Sequence, residues 1–503
     1  MIESIKNKVF TVIFSTLFFG IMACSSDSSS ENTVDKSLAV SAASLNFLSA
    51  GNSASFTITT NVDAWTITNP DASWIQLNKI SGASGTTIVN VTVLANTTTT
   101  VRTATLTVNS TQTTAVNIVL TQAAGVVVPP VTALYPSYNT NPIAADATGM
   151  TSNATQLAAK IKLGWNIGNT LEAIGGETAW GNPKVTKALI DLVKANGFNA
   201  VRIPCSWNQN LENTTTAKIK TEWLNRVKEV VQYCVDNDMY VVLNIHWDGG
   251  WLENNCTEVK KVENNAKQKA FWEQIATHLR DFDEHLLFAG ANEPNVENAT
   301  EMAVLNSYHQ TFIDAVRSTG GKNANRILVI QGPTTDIEKT NKLMLTLPTD
   351  KVANRMMVEV HYYSPWNFAG LTKDETWGKM AYYWGSNYLS ATDTQRNASF
   401  GEADLEKLFK SMKTQFVDKG IPVLLGEFGA IRRTTLTGDA LTLHLNSRAY
   451  YLKTVVKQAK ANGILPFYWD EGSLGNNGFG IFNRTNNTVY DTQVLTALLD
   501  GLK

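Results

Sequence analysis

Apolar residues are spread along this chain in three regimes, and each predicts a different structure. Lys6 and Lys8 precede a mostly apolar stretch of 15 residues, Val9 to Ala23. A helix needs about 20 apolar residues to cross a bilayer, so residues 1–23 read as a cleaved signal peptide and not as a membrane span. From Leu38 to Ala123 apolar residues alternate in short runs, as in Ala54-Phe56-Ile58, Val89-Val91-Val93, Ala104-Leu106-Val108 and Val116-Ile118-Leu120. Turn signals such as Asn69-Pro70-Asp71 and Ser81-Gly82 separate these runs. Six or seven short strands at this spacing predict an all-β, immunoglobulin-like antiparallel sandwich over residues 38–123. Trp65 and Trp74 lie on it and are expected in its core, which makes the sandwich a spacer and not a sugar platform.

After a linker at 124–134, stiffened by Pro129-Pro130, the period changes. From Tyr135 short β-branched runs alternate with helical segments, and the alternation repeats eight times. The runs are Leu163 to Ile167, Ala200 to Ile203, Tyr240 to Ile245, Leu286 to Ala289, Ile327 to Ile330, Met357 to Val360, Val423 to Leu425 and Leu465 to Tyr468. Helices such as Val185 to Asn196, closed by Gly197, and Thr221 to Asn237 lie between them. Eight such units predict an α/β fold, a (β/α)8 TIM barrel over 135–503, with functional groups at the C-terminal ends of its strands.

Those ends carry the polar and aromatic residues of interest. Strand 2 delivers Arg202, strand 3 His246-Trp247-Asp248, strand 4 Asn292-Glu293-Pro294, strand 6 His361-Tyr362-Tyr363, strand 7 Glu427-Phe428-Gly429, and strand 8 Trp469-Asp470-Glu471. Two carboxylates facing one cleft suit glycoside hydrolysis, in which one group protonates the leaving oxygen while the other attacks or activates water. Strands 4 and 7 stand on roughly opposite sides of a bore that admits only side chains, so Glu293 and Glu427 can approach to the ~5 Å of a retaining mechanism. The bland alternative for Arg202 is that it simply pairs a structural acid inside the barrel. Asp248, Asp470 and Glu471 divide evenly between site and loop surface, and His278, His285, His309 and His444 read as structural.

Composition narrows the partners. Formal net charge is −2 with no long Lys or Arg run, which gives no electrostatic reason for nucleic-acid binding. Cys205, Cys234 and Cys256 are an odd set without zinc-ligand spacing, so buried free thiols are expected in preference to a bridge. Of 13 tryptophans, nine (Trp165, Trp180, Trp207, Trp247, Trp251, Trp366, Trp377, Trp384 and Trp469) fall at strand ends or in the following loops, as a cleft for an extended polysaccharide requires. The long aromatic connection from Ser364 to Ala403 is expected to form a wall for several sugars.

Three resemblances add to this reading. Ile21-Met22-Ala23-Cys24 resembles the lipobox of bacterial lipoproteins, which implies diacylated Cys24, a tether over 24–37, and attachment to the outer membrane, at the cell surface. Trp65, Trp74-Ile75, Ser81-Gly82, Ala95-Asn96-Thr97, Arg102-Thr103-Ala104 and Val119-Leu120-Thr121-Gln122, in that order, resemble the BACON module of Bacteroidetes surface proteins. Leu163 to Glu172, Glu177 to Pro183, Val201-Arg202-Ile203-Pro204, Asn292-Glu293-Pro294, His361-Tyr362-Tyr363 and Gly426-Glu427-Phe428-Gly429 resemble glycoside hydrolase family 5, most closely its subfamily 4.

The last resemblance implies roles. Glu293 is the acid/base, with Asn292 on the sugar 2-hydroxyl; Glu427 is the nucleophile, oriented by Arg202 and Tyr363. His246, His361 and Trp469 line the subsite of the cleaved residue, and Trp247 stands where relatives often carry a second His. Trp180 and Trp247 are further substrate contacts. The expected activity is a retaining endo-β-1,4-glucanase on a plant cell-wall β-glucan, xyloglucan first, acting as a monomer without metal or organic cofactor. A β-mannanase or mixed-linkage glucanase of the same family is the alternative, and a surface glycan-binding lipoprotein on an inactive barrel is the other class.

Overall fold

A computed structural model describes residues 35–125 and 133–503. The expected signal peptide 1–23, Cys24, most of the expected tether and most of the expected linker lie outside the described residues. The chain divides into two compact units, Met1–Val131 and Thr132–Lys503.

In the first unit, strand burial follows the two-residue period. Ser53–Thr60 buries Phe56, Ile58 and Thr60, and Gly85–Val93 buries Val89, Val91 and Val93, because alternate side chains of a strand face one side. Two sheets enclose this core. One has four strands, in the order Leu38–Val40, Ser53–Thr60, Gly85–Val93, Ile75–Leu77; the other has five, Ser44–Phe47, Thr113–Gln122, Arg102–Ser110, Trp65–Thr68, Ser81–Gly82. The sandwich departs from the expected antiparallel pattern at one edge. The N-terminal strand passes from the first sheet to the second, and its second half, Ser44–Phe47, pairs in parallel with Thr113–Gln122. Trp65 and Trp74 are buried in the core, with the Trp74 ring covered by the Arg102 guanidinium at 4.2 Å.

The second unit is a closed parallel barrel of β1 (Gly164–Ile167), β2 (Ala200–Ile203), β3 (Tyr240–Asn244), β4 (Leu286–Ala289), β5 (Leu328–Gln331), β6 (Met356–Tyr362), β7 (Val423–Phe428) and β8 (Ile464–Asp470). Helices cover the outer wall, so the strands are buried on both faces and read as continuous apolar runs. Lys187–Ala195 shows how local signals set such a helix. Thr186 caps it by accepting from the Leu189 N–H, Leu189, Ile190 and Val193 pack inward, and Gly197 at φ 94° ends it.

Side-chain parity sorts the strands into two surfaces. Val201, Ile203, Val241, Leu243, Phe288, Val358, Val360 and Leu425 pack outward beneath the helices. Ala200, Val242, Leu287, Val329, Met357, Leu424 and Phe467 fill the bore and meet the plug helix Ala154–Ala158. Two residues further along, the inward series turns polar: Asn166, Arg202, Asn244, Gln331, Glu359 and His361. The barrel is therefore apolar at its plugged end and charged at its mouth.

Glu427 breaks that parity. Counting from Val423 and Leu425 would turn it outward. Between β6 and β7, however, the register slips from Val360↔Leu425 to His361↔Glu427, and between β7 and β8 from Leu425↔Pro466 to Phe428↔Tyr468. One extra residue in β7 makes a bulge at Gly426-Glu427 that swings the carboxylate into the bore.

Candidate active site

At the mouth, Arg202 is wholly buried and holds four groups at once. Its Nη1 donates to Glu427 at 2.9 Å and to Asn166 Oδ1 at 3.0 Å, and its Nη2 donates to Asn292 Oδ1 at 2.8 Å. Its Nε forms an ion pair with Glu359 at 2.9 Å. Arg202 thus contacts both Glu427, the expected nucleophile, and Glu359, a wholly buried acid of the barrel. Asn166 Nδ2 donates in turn to the Gly426 carbonyl at 2.8 Å, tying the β7 bulge to β1.

Tyr363 donates to the other oxygen of Glu427 at 3.0 Å. His361 stands between the carboxyl pair, with Nδ1 2.7 Å from Glu293 and 3.7 Å from Glu427 and Nε2 3.3 Å from Glu359. One ligand atom each from Glu293, His361 and Glu427 lies within 4.8 Å of the others. That closeness fits the ~5 Å carboxyl separation of a retaining enzyme and falls short of the ~6.5 Å minimum for an inverting one. The two glutamates differ in access: the Glu293 side chain is 37% exposed and that of Glu427 only 7%.

Burial alone would lower the His361 pKa, but the Glu427 charge and hydrogen bonds to Glu293 and Glu359 outweigh it and raise the imidazole to about 10. An imidazolium donates at both nitrogens, so a protonated His361 stands as a cation among the carboxylates of this cluster. Burial works to raise Glu293 as well, but the His361 hydrogen bond and the charges of His361 and Arg202 hold it low. Burial raises Glu427, with the Glu293 charge adding to it against His361 and Arg202. Three carboxylates against two cations leave one negative charge in excess, which favours one shared proton on the pair. Burial and the Glu427 charge hold the Tyr363 phenol well above its usual range, so it remains a donor.

His246 and Trp469 stack with ring centroids 5.9 Å apart and planes 4° from parallel. Burial and the charges of Arg202 and His361 keep His246 neutral, and its Nδ1 lies 3.2 Å from Asn244 Nδ2. Gly168 makes room for the Trp469 ring, which a Cβ there would meet at 2.8 Å. Trp247 and Trp180 are 42% and 44% exposed, and Trp366 and Trp377 present open rings on the connection after β6.

Several expectations need correction. Asp248, Asp470 and Glu471 belong neither to the reacting cluster nor to the loop surface. Asp248 is buried and accepts from Ser206, the Trp207 and Asn208 N–H groups and Trp251 Nε1; Asp470 accepts from Trp165 Nε1 and the Ile481 N–H and pairs with Arg484. Glu471 accepts from the Phe479 N–H. These acids pin loops whose backbone donors would otherwise be unpaired. Trp165, Trp207, Trp251 and Trp384 are core residues and cannot stack on sugar, and Phe368 and Tyr383 of the long connection are buried too. The three cysteines are free and buried.

Two acids were missed. Glu359, wholly buried, was signalled by a lone charge inside the apolar run Met357-Val358-Glu359-Val360. Glu253 had no signal; its Oε2 accepts from the Glu293 N–H at 3.3 Å and from Asn292 Nδ2 at 3.4 Å.

Residues 166–475 match the family described as Cellulase (glycosyl hydrolase family 5), and residues 63–123 match the BACON family of N-terminal binding domains. The xyloglucan-specific endo-β-1,4-glucanase of Bacteroides ovatus is 35% identical over 457 residues, 87% of this chain and 86% of that protein. A solved structure of a Bacteroides ovatus GH5 xyloglucanase in complex with a XXXG heptasaccharide superposes with a TM-score of 0.68 at 34% identity, covering 93% of this chain and all (100%) of the other. A GH5-4 broad specificity endoglucanase from Bacteroides salanitronis gives a TM-score of 0.63 at 33% identity, over 72% of this chain and 98% of the other.

Proposed function

The chain belongs to glycosyl hydrolase family 5 and is a retaining endo-β-1,4-glucanase with an N-terminal BACON domain, and on that premise we propose that Glu427 is the nucleophile, Glu293 the acid/base, and xyloglucan the preferred polymer. The observation that carries the roles is the pair of carboxyls, with His361 between them, at the close spacing of double displacement. In the first step a Glu427 oxygen bonds to the anomeric carbon as the glycosidic bond breaks, and the departing oxygen takes the proton of Glu293. In the second step Glu293 takes a proton from water, whose oxygen bonds to the anomeric carbon and releases Glu427.

The difference in access supports this division. Glu427 is fixed by Arg202 and Tyr363 deep in the mouth, whereas Glu293 faces the opening where a leaving chain departs. His361 bridges the two carboxyls over which the proton is shared. Once Glu427 is esterified its charge is gone, Glu293 loses a repelling neighbour, and a proton leaves Glu293 more readily for the base step. Asn292, held by Arg202, stands ready for the 2-hydroxyl, and Trp469 with His246 makes the stacking floor.

Xyloglucan is favoured because the relatives above include enzymes named for that polymer; a broad-specificity glucanase is the second reading, favoured by the Bacteroides salanitronis neighbour. Exposed Trp180, Trp247, Trp366 and Trp377 support a cleft for an extended chain. The sequence supports lipid attachment at Cys24, with the sandwich of residues 38–123 as a spacer between membrane and barrel. Mass-spectrometric product analysis on xyloglucan, barley glucan, carboxymethylcellulose and mannan tests the polymer: mannan cut faster than any glucan would reject the reading. Glu427→Ala should abolish turnover while keeping glycan binding, and appreciable residual hydrolysis would remove Glu427 from the nucleophile role.

A further inference from the structure

Below the reacting pair lies a charge that touches neither reacting carboxylate. Glu359 is wholly buried on the inward face of β6, and every polar contact it makes belongs to the site's scaffold. Its Oε1 meets Arg202 Nε at 2.9 Å and His361 Nε2 at 3.3 Å; its Oε2 accepts from Gln331 Nε2 of β5 at 2.6 Å. Gly426 of β7 faces it, and a Cβ there would stand 1.9 Å from Oε1. The bulge glycine that turns Glu427 inward thus also clears the space this carboxylate fills. The charged groups around Glu359 are Arg202 and His361, with Glu293 and Glu427 beyond them.

Each cation beside Glu359 holds one reacting acid: Arg202 holds Glu427, and His361 holds Glu293. We propose that Glu359 is a positioning residue for hydrolysis, one carboxylate that braces both cations and thereby fixes the two reacting glutamates relative to each other. The inference rests on the assignment of those glutamates above. Without Glu359 the cluster would hold two buried cations and no anion beneath them. Its charge keeps the His361 proton in place and works to raise Glu293, in the direction an acid needs.

Glu359→Gln tests this, because glutamine keeps the shape and removes the charge. With the unmodified enzyme as reference on soluble β-1,4-glucan, kcat should fall about 100-fold, the scale of a small displacement of reacting groups, with KM within about twofold. The alkaline limb of the kcat/KM profile should move to lower pH, since protons on Glu293 and His361 are both held less tightly. A folded variant with kcat within twofold and an unshifted limb overturns the inference. If the unmodified enzyme cleaves no β-1,4-glucan, the functional reading fails instead. Should the variant not fold, imidazole NMR on the unmodified enzyme decides: His361 must stay protonated well above neutral pH, and titration below pH 7 overturns the proposal.

Discussion

Arg202→Lys is the sharpest probe of the site, because it keeps the positive charge and removes the fork. The guanidinium reaches Glu427, Asn166, Asn292 and Glu359 in one plane; an ammonium on a flexible stem can satisfy only some of them. If lysine stays with Glu359, the bonds to Glu427 and Asn292 are lost. Hydrogen bonds to charged groups contribute about 1.5–3 kcal/mol each, so the low end for two is about 3 kcal/mol. At 1.36 kcal/mol per decade this predicts a loss of about 150-fold in kcat/KM. The assay is reducing-end release from a soluble β-glucan, with pre-steady-state release from an aryl glycoside to isolate the first step and thermal unfolding to confirm the fold. A folded Arg202→Lys enzyme within fivefold of the parent in kcat/KM would show that the four-way contact does not set the nucleophile's geometry.

Trp247→Ala should raise KM by roughly 2- to 10-fold with kcat little changed, the scale of one lost aromatic contact of about 0.5–1.5 kcal/mol; an unchanged KM removes Trp247 from the cleft. Because the folded site raises His361 from its ordinary 6.5 to about 10, its contribution to stability is complete below pH 6.5 and is lost as pH passes through about 10. Calorimetric Tm should therefore fall from pH 7 to 10 less steeply in His361→Asn than in the parent, and equal slopes would refute the linkage. Cys24→Ala should move the protein from the membrane fraction to the soluble fraction, and retention would contradict lipid anchoring. Deletion of residues 38–123 should leave hydrolysis of soluble polymer nearly unchanged, while a large loss would end the spacer reading.

What the sequence reveals of this molecule follows from how local each signal is. The run Leu286 to Ala289 appears as β4 with the same ends, since His285 bounds the four apolar residues on one side and Gly290 on the other. Asn292, Glu293, His361 and Glu427 converge because a barrel sends every strand end to one mouth, so order along the chain suffices to place them. Glu359 stayed hidden because its meaning depends on Arg202 from a strand more than 150 residues earlier and on space left by Gly426. The tryptophans divided unpredictably for the same reason. Trp207 and Trp247 both follow a strand, yet Trp207 turns inward to donate to the Asn244 carbonyl at 3.0 Å while Trp247 faces solvent.

The irregularity in β7 has a consequence for how this enzyme can vary. Were β7 to pair regularly, with Gly426 opposite His361, two-residue counting from Val423 would assign Glu427 to the outer wall among the aliphatic side chains beneath the helices. A change that kept every residue but flattened the bulge would point the acid at that wall, so it is the irregular pairing, and not the length of β7, that the reaction depends on. Comparisons between relatives meet the same point: a gap drawn one position late at Gly426 sets the acid against the glycine on paper, while leaving the rest of every strand correctly matched.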